Sequence, residues 1–417
     1  MDAIALDQHA AMGPPGQDRG VPPRTARAAV TAIFFLNGFI LSSWVPRIPA
    51  IKDDLDLSEG RLGLALLGTA VGALLAMPVT GWLLPRVGSR VMTTIGVMLL
   101  AIFLIGPALA GSWTALTLML MLFGAANGAL DVSMNAHGVV VERRYRRPIL
   151  TAFRAAFSLG GLAGAAVGGL FAGLGIRPLP HFSTVAVVCI VAGFLASRRL
   201  LPGHVDRRVR PDPETAMPKS RAPFRPPGRI VAAGIVALAC LLGEGAVADW
   251  STVYLDETLG TSEGLAAAGF VAFSLAMTLV RLRGDRLTAA WGPVVFVRRG
   301  GALVALGLGL GLVIREPWAA IAGFGAVGAG LAGIFPVVLS AAGRVEGIAT
   351  GAALAFVSTL GYTGFLVGPP AIGLVAEVVG LEVALGIVVA MGILIVLLAG
   401  SLAPAEALDA QPVAVEG

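Results

Sequence analysis

Twelve apolar segments of about 20 residues recur along this chain of 417 residues. A helix of about this length spans the hydrocarbon core of a bilayer. Only 13% of the residues are charged, too few to give twelve helices of this length a solvated polar face. The sequence therefore predicts an all-α integral membrane protein. The predicted spans are 27–46, 60–84, 91–110, 114–136, 149–174, 182–200, 229–251, 264–282, 294–313, 317–340, 350–376 and 382–402.

The basic residues predict how these spans are oriented. With the N-terminus in the cytoplasm, 24 of the 30 basic residues fall on the cytoplasmic side and five on the outside. Lys and Arg collect in short cytoplasmic loops, so both termini are predicted to be cytoplasmic. The pI of 9.8 then reflects this topology. We expect no nucleic-acid partner, because no basic groove with stacking aromatics is indicated.

A proline-rich segment divides the spans six and six. Residues 202–228 hold seven prolines and too few apolar side chains to form a core. The predicted organisation has five parts: a disordered cytoplasmic N-terminus (1–26), a six-helix bundle (27–200), a cytoplasmic linker (201–228), a second six-helix bundle (229–402) and a disordered tail (403–417). Two such bundles can enclose a cavity that opens alternately to either face of the membrane.

The fourth span carries a polar stripe. Asn127, Asp131 and Asn135 are spaced four residues apart and therefore share one helical face. An ionised side chain at the centre of a spanning helix costs about 2.5–3.5 kcal/mol on insertion scales. We predict that the stripe faces a central cavity, where water or a solute solvates it. The alternative is a polar contact that joins two helices.

Four further residues are candidates for lining that cavity. Arg154, early in the next span, either pairs with Asp131 or extends to the lipid headgroups. Glu244 lies between two glycines, which favours a loosened helix at a binding site; the alternative is a vestibule carboxylate without a specific role. Asn37 and Tyr362 are predicted to line the cavity because few polar residues occupy these spans. Asp131 and Glu244 are the candidates for proton coupling.

Other distinctive residues are given structural interpretations. His137 is expected to be a solvated histidine at the cytoplasmic mouth, and Trp250 with Asp249 to lie at the outer membrane interface. Pro336 is expected to bend its helix. No spacing of metal ligands, phosphate-binding loop or nucleophile–base pair is present in the sequence, so we expect no metal, no cofactor and no enzymatic activity.

Two basic junctions point to a family. "GWLLPRVGSR" (81–90) joins the second and third spans, and "RLRGDRLTAAWG" (281–292) is the equivalent junction in the second half. The first resembles the loop signature of the major facilitator superfamily, with Pro85 where the family has an aspartate. The resemblance implies two six-helix bundles, and it implies gating roles for the matching residues, which are Gly81, Arg86, Gly88, Arg90, Asp285 and Arg286.

Three longer stretches resemble one branch of that superfamily. They are "SWVPRIPAIKDDLDLSEGRLG" (43–63), "LDVSMNAHGVVVER" (130–143) and "GEGAVADWSTVYL" (243–255), and they are similar to the YbjJ-type bacterial inner-membrane group related to the fucose permeases. In fucose permeases an acidic residue matching Asp131 is implicated in proton coupling. Those permeases carry a second acidic residue on the first helix, where this chain has Asn37.

These observations predict a monomeric secondary transporter in the bacterial inner membrane, in contact with the lipid bilayer. It would move a small polar, sugar-like solute by alternating access, with or without coupled protons. One alternative is an efflux pump for amphipathic or drug-like compounds, which would also use carboxylates within the membrane. The other is a membrane sensor or scaffold that transports nothing.

Overall fold

A computed structural model describes residues 23–145, 149–202, 226–345 and 350–403. Most of the predicted N-terminal segment, linker and tail lies outside these ranges. Within them the chain forms fifteen α-helices: α1 Pro23–Trp44, α2 Ile48–Asp54, α3 Glu59–Val87, α4 Ser89–Phe103, α5 Trp113–Tyr145, α6 Leu150–Gly173, α7 Pro178–Ser197, α8 Gly228–Val253, α9 Glu263–Arg281, α10 Gly284–Trp291, α11 Pro293–Ile314, α12 Pro317–Leu331, α13 Ile334–Ala342, α14 Thr350–Val379 and α15 Leu381–Leu398.

The helices confirm the twelve predicted spans. Twelve helical segments in the described ranges are long and apolar enough to cross a bilayer. The first span joins α1 to α2 through a 3₁₀ turn, and the tenth consists of α12 and α13 with a break between them. The fourth span continues to Tyr145, well past its predicted end at 136. Hydropathy locates the apolar part of a span and not the polar turns that prolong the helix.

The first predicted gating loop is not a loop. Residues 81–87, including Gly81 and Arg86, form the last turns of α3. A single residue, Gly88 with φ 93°, separates α3 from α4. Gly292, with φ 77°, separates α10 from α11 in the same way. Glycine adopts this left-handed backbone without a Cβ clash, which makes both junctions very short.

Small residues allow the helices within each half to pack closely. In the first half (α1–α7), α3 packs on α5; in the second (α8–α15), α8 packs on α14. A Cβ on Gly72 would lie 1.9 Å from the carbonyl oxygen of Met121, and one on Gly124 would lie 1.9 Å from that of Thr69. Glycine is the residue that permits this backbone contact, a packing mode frequent between membrane helices.

The two halves meet at one end of the bundle. We call the end where α7 finishes and α8 starts the linker end, and the opposite end the far end. Across the halves α3 packs on α14, and α6 packs on α9. The contacts involve Gly63 against Pro369 and Gly173 against Gly264, which lie towards the far ends of these helices. Hydrogen bonds and ion pairs between described residues of the two halves also lie at the far end.

Gly72→Val should destabilise the protein by about 3 kcal/mol, the upper end of the range for overpacked sites. The valine side chain would be driven into the backbone of α5 at Met121, which is not a flexible group. Thermal unfolding in detergent measures the effect. Gly81→Ala on the same helix is the matched control, because a Cβ there meets nothing within 4 Å. Equal melting temperatures for the two variants would contradict the packing argument.

Candidate functional site

Three polar residues from three helices lie at one depth in the bundle. Asp131 is 18 residues after the far-end start of α5, Arg154 is 19 residues before the far-end terminus of α6, and Tyr362 is 17 before that of α14. At 1.5 Å per residue, these separations place them roughly 25–29 Å from the far end. Tyr362 belongs to the second half of the chain and the other two to the first.

Space between the halves is accessible at this level. The Tyr362 side chain is 56% exposed, and Arg154 is also exposed. The charges of Asp131 and Arg154 act on the Tyr362 hydroxyl across the gap. The halves are joined at the far end, so this space lies between that closure and the linker end.

The Asp131 carboxylate is held within its own helix. Asn135 Nδ2 donates to Asp131 Oδ1 at 3.0 Å and to the Asp131 carbonyl at 2.8 Å. The Arg154 charge also acts on the carboxylate. Ion pairs within 4 Å between described residues do not include Asp131 with Arg154. The predicted partner therefore lies within electrostatic range and not in direct contact.

A carboxylate at the linker end fixes the start of α6. Glu142 Oε2 accepts the backbone N–H groups of Ile149 at 2.7 Å and Leu150 at 3.0 Å. An anion at a helix N-terminus satisfies free N–H groups and interacts favourably with the helix dipole. This contact ties α6 to α5 and so sets the position of Arg154 relative to Asp131.

Two buried amide oxygens near the stripe lack hydrogen-bond donors. Asn37 Nδ2 donates to Met134 Sδ at 3.6 Å, whereas Asn37 Oδ1 and Asn127 Oδ1 are buried and have no partner. Buried polar atoms are usually hydrogen-bonded, and an exception in a native structure calls for an explanation such as a water or ligand. Asn127 Oδ1 can accept an O–H or N–H group from water or a solute. Asn37 was predicted to line the cavity, but it is 1% exposed, so its oxygen is closed to a solute in this conformation.

In the second half, Glu244 has a partner that the sequence did not reveal. Arg281 Nη2 lies 3.5 Å from Glu244 Oε1, and the two side chains are 39% and 18% exposed. In the sequence Arg281 belongs to a basic junction that was counted as a cytoplasmic loop. In the structure α9 extends to Arg281, and its side chain reaches back to α8.

The residues expected to form gating contacts bind within their own half. The Arg86 guanidinium lies 4.0 Å from the ring centre of Trp82, and it donates to the Trp82 carbonyl. Arg90 Nη2 donates to the carbonyl of Arg198 at 3.2 Å. In the second junction Arg286 is exposed, and the side chain of Asp285 lies outside the described part.

Two structural interpretations from the sequence are wrong. His137 is 1% exposed; its Nδ1 lies 2.6 Å from Ser89 Oγ, and its Nε2 accepts the N–H of Leu201 at 3.2 Å. It joins α5 to α4 and to the segment after α7. Trp250 is 0% exposed and packs against Gly373 of α14, so it does not face the lipid as an interface anchor.

Ion pairs close the far end. Arg47 Nη1 lies 3.2 Å from Glu263 Oε2, and Lys52 Nζ lies 2.5 Å from Glu257 Oε2, each pair joining the two halves. The Glu377 carboxylate of α14 accepts a backbone N–H at the start of α3 at 2.8 Å. In the sequence, Arg47 and Lys52 are two of the five basic residues predicted to lie outside, and nothing there reveals their partners.

This arrangement defines a polytopic helical membrane protein in two halves that are joined at one end, with polar residues of both halves at one depth. The sequence pattern described as Major Facilitator Superfamily matches residues 30–351, and the chain belongs to that family. A relative, an MFS-type transporter of Yersinia pestis, is 33% identical over 89% of this chain and 94% of its own length. The chain is thus an MFS transporter. The relative's name identifies the superfamily and not the branch, so the YbjJ-type branch stays a prediction.

Solved structures share the fold. The nucleoside transporter NupG has a TM-score of 0.70 at 12% identity, covering 93% of this chain and 100% of its own. A D-xylose–proton symporter has a TM-score of 0.71 at 15% identity, covering 91% of this chain and 98% of its own. At these identities the likeness concerns the fold alone.

Proposed function

We propose that the protein is a secondary active transporter that moves a small hydroxyl-bearing solute, sugar-like in size, with protons coupled through Asp131. The observation that carries the proposal is the position of Asp131. Its carboxylate lies at the same depth as Arg154 and Tyr362, between two halves that are joined at the far end. A single carboxylate there can release its proton when a cation or a solute comes close to it, and bind a proton again when the halves move and that group leaves.

The chemistry of the cavity wall supports a polar solute. The Asn127 amide oxygen, which has no donor, accepts hydrogen bonds, and Arg154 donates them. Sites of this kind reject analogues that lack the matching hydroxyl, because the buried acceptors are then left unpaired. Proteins with this fold include a nucleoside transporter and a D-xylose–proton symporter, both named for hydroxyl-rich solutes.

We infer that the linker end faces the cytoplasm of a bacterium and that the protein lies in its inner membrane. The basic residues favour this orientation, since most of them belong to the linker side. The two halves act as the moving units of alternating access. The conformation described is then open to the cytoplasm and closed to the outside by the Arg47–Glu263 and Lys52–Glu257 pairs.

A thermal-shift screen of the purified protein tests the solute class. The probes are free sugars, nucleosides, organic acids and amphipathic cations. A bound solute raises the melting temperature with its concentration, and we expect stabilisation by a sugar or a nucleoside. The Asn127→Leu variant is screened beside the wild type, because it removes one free acceptor of the proposed site without adding charge. Stabilisation by amphipathic cations alone, equal in both proteins, would instead favour the efflux pump.

A further inference from the structure

The tenth span is interrupted between α12 and α13. α12 ends at Leu331, Gly333 has φ −117°, and α13 begins at Ile334. Pro336 is the third residue of α13 and has no N–H, so the Ala332 carbonyl four residues earlier lacks its intrahelical donor. In the described part of the chain no other backbone N–H donates to this oxygen.

Side chains from two neighbouring helices donate hydrogen bonds to the carbonyl groups at the break. Arg281 Nε donates to the Ala332 carbonyl at 3.2 Å, and the Cys240 thiol donates to that of Leu331 at 3.7 Å. A second nitrogen of the same guanidinium pairs with Glu244. Free carbonyls cost several kcal/mol within a bilayer, so irregular backbone persists there where protein groups or a wet cavity satisfy it.

The break lies at the depth of the polar stripe. Leu331 is 14 residues after the far-end start of α12, as Asn127 is after that of α5. Both positions are therefore about 21 Å from the far end. At this depth the first half has the polar side chains of Asn127 and Asp131 on an unbroken helix. The second half has the break between α12 and α13, whose carbonyls are hydrogen-bonded by side chains of α8 and α9.

We propose that Arg281 is a positioning residue for the tenth span. It supplies the hydrogen bond that Pro336 cannot make to Ala332, and it ties the break to Glu244 on the cavity wall. A solute or proton that engages Glu244 therefore acts, through Arg281, on the shape of the tenth span. This consequence rests on the proposed transport function, whereas the role of Arg281 at the Ala332 carbonyl does not.

A double-mutant cycle with Pro336→Ala tests the role at the carbonyl. Alanine restores an N–H that can donate to Ala332, so Arg281 should matter less in that background. Amide hydrogen exchange over residues 331–340, measured by mass spectrometry, is the readout. Arg281→Gln should raise exchange there roughly tenfold or more, as expected for the loss of a hydrogen bond to a charged group. In the Pro336→Ala background most of this increase should disappear.

Arg281→Lys separates the charge from the Nε donor. Lysine keeps a positive charge opposite Glu244 but has no group in the position of Nε, so this variant should also raise exchange at the break. Wild-type exchange in Arg281→Lys, or equal effects of Arg281→Gln in both backgrounds, would overturn the proposal. Arg283→Lys, an exposed arginine two residues along, is the control and should leave exchange unchanged.

Glu244→Gln tests the link to the cavity wall. The neutral amide no longer anchors the guanidinium, so exchange at 331–340 should rise, by less than in Arg281→Gln. Unchanged exchange would remove Glu244 from the proposal. None of these measurements needs a solute or a proton gradient, so their failure is distinguishable from a failure of proton coupling at Asp131.

Discussion

Asp131→Asn should abolish proton-driven transport while leaving exchange of the solute intact. Asparagine keeps the size of the side chain and its contact with Asn135 but cannot bind or release a proton. With one coupled proton, a gradient of one pH unit supplies about 1.4 kcal/mol, which corresponds to about tenfold accumulation of the solute. In Asp131→Asn this gain in accumulation should fall to none.

Proteoliposomes loaded with the solute found in the thermal-shift screen allow the two processes to be measured separately. Accumulation under an imposed pH gradient reports coupling, and counterflow without a gradient reports exchange. Glu316→Gln, at an exposed position between two spans, is the control carboxylate and should behave as wild type. If Asp131→Asn still accumulated solute in response to the gradient, the coupling role of Asp131 would be refuted.

Two substitutions of Arg154 distinguish an electrostatic effect on Asp131 from a contact with lipid headgroups. In the structure Arg154 acts on Asp131 from a distance and does not pair with it directly. Arg154→Lys should retain most of the coupled transport because it keeps the charge, whereas Arg154→Gln should lose it. Equal activity of the two variants would favour an arginine that only reaches the headgroups.

The sequence was sufficient for the features that depend on length and periodicity. Twelve spans follow from apolar segments long enough to cross a bilayer, and the structure has them. The spacing of Asn127, Asp131 and Asn135 placed them on one face, and the structure joins two of them by hydrogen bonds. Both inferences use only the geometry of a single helix.

Features that depend on contacts between helices could not be predicted in the same way. Trp250 lies near the end of a span, and its position along the helix does not reveal that α14 covers it. The predicted eighth span ends at 282, so the sequence places Arg281 at its boundary and does not reveal that the side chain reaches Glu244 and Ala332. Pro336 was expected to bend its helix, but Arg281, which donates to the freed Ala332 carbonyl, is 51 residues from Ala332 in sequence.

The largest effect on conformation should come from the glycines that let the far end close. A Cβ on Gly264 would lie 2.8 Å from Gly173 Cα, and these two residues belong to opposite halves. Contacts closer than 3 Å to backbone require the two helices to separate. Gly264→Val should therefore disfavour the state in which the far end is closed by about 1–3 kcal/mol. Each 1.4 kcal/mol lowers the population of that state relative to the open one about tenfold.

Spin labels at Leu179→Cys and Thr258→Cys report the far-end distance, since these exposed positions flank the closed end in the two halves. The native residues Cys189 and Cys240 are buried and should remain unlabelled. Gly386→Val is the matched control, because a Cβ there meets nothing within 4 Å. In Gly264→Val the distance distribution should move to longer values, and the control should keep the short distance. A short distance in both would mean that the α6–α9 contact does not determine which end of the pathway is closed.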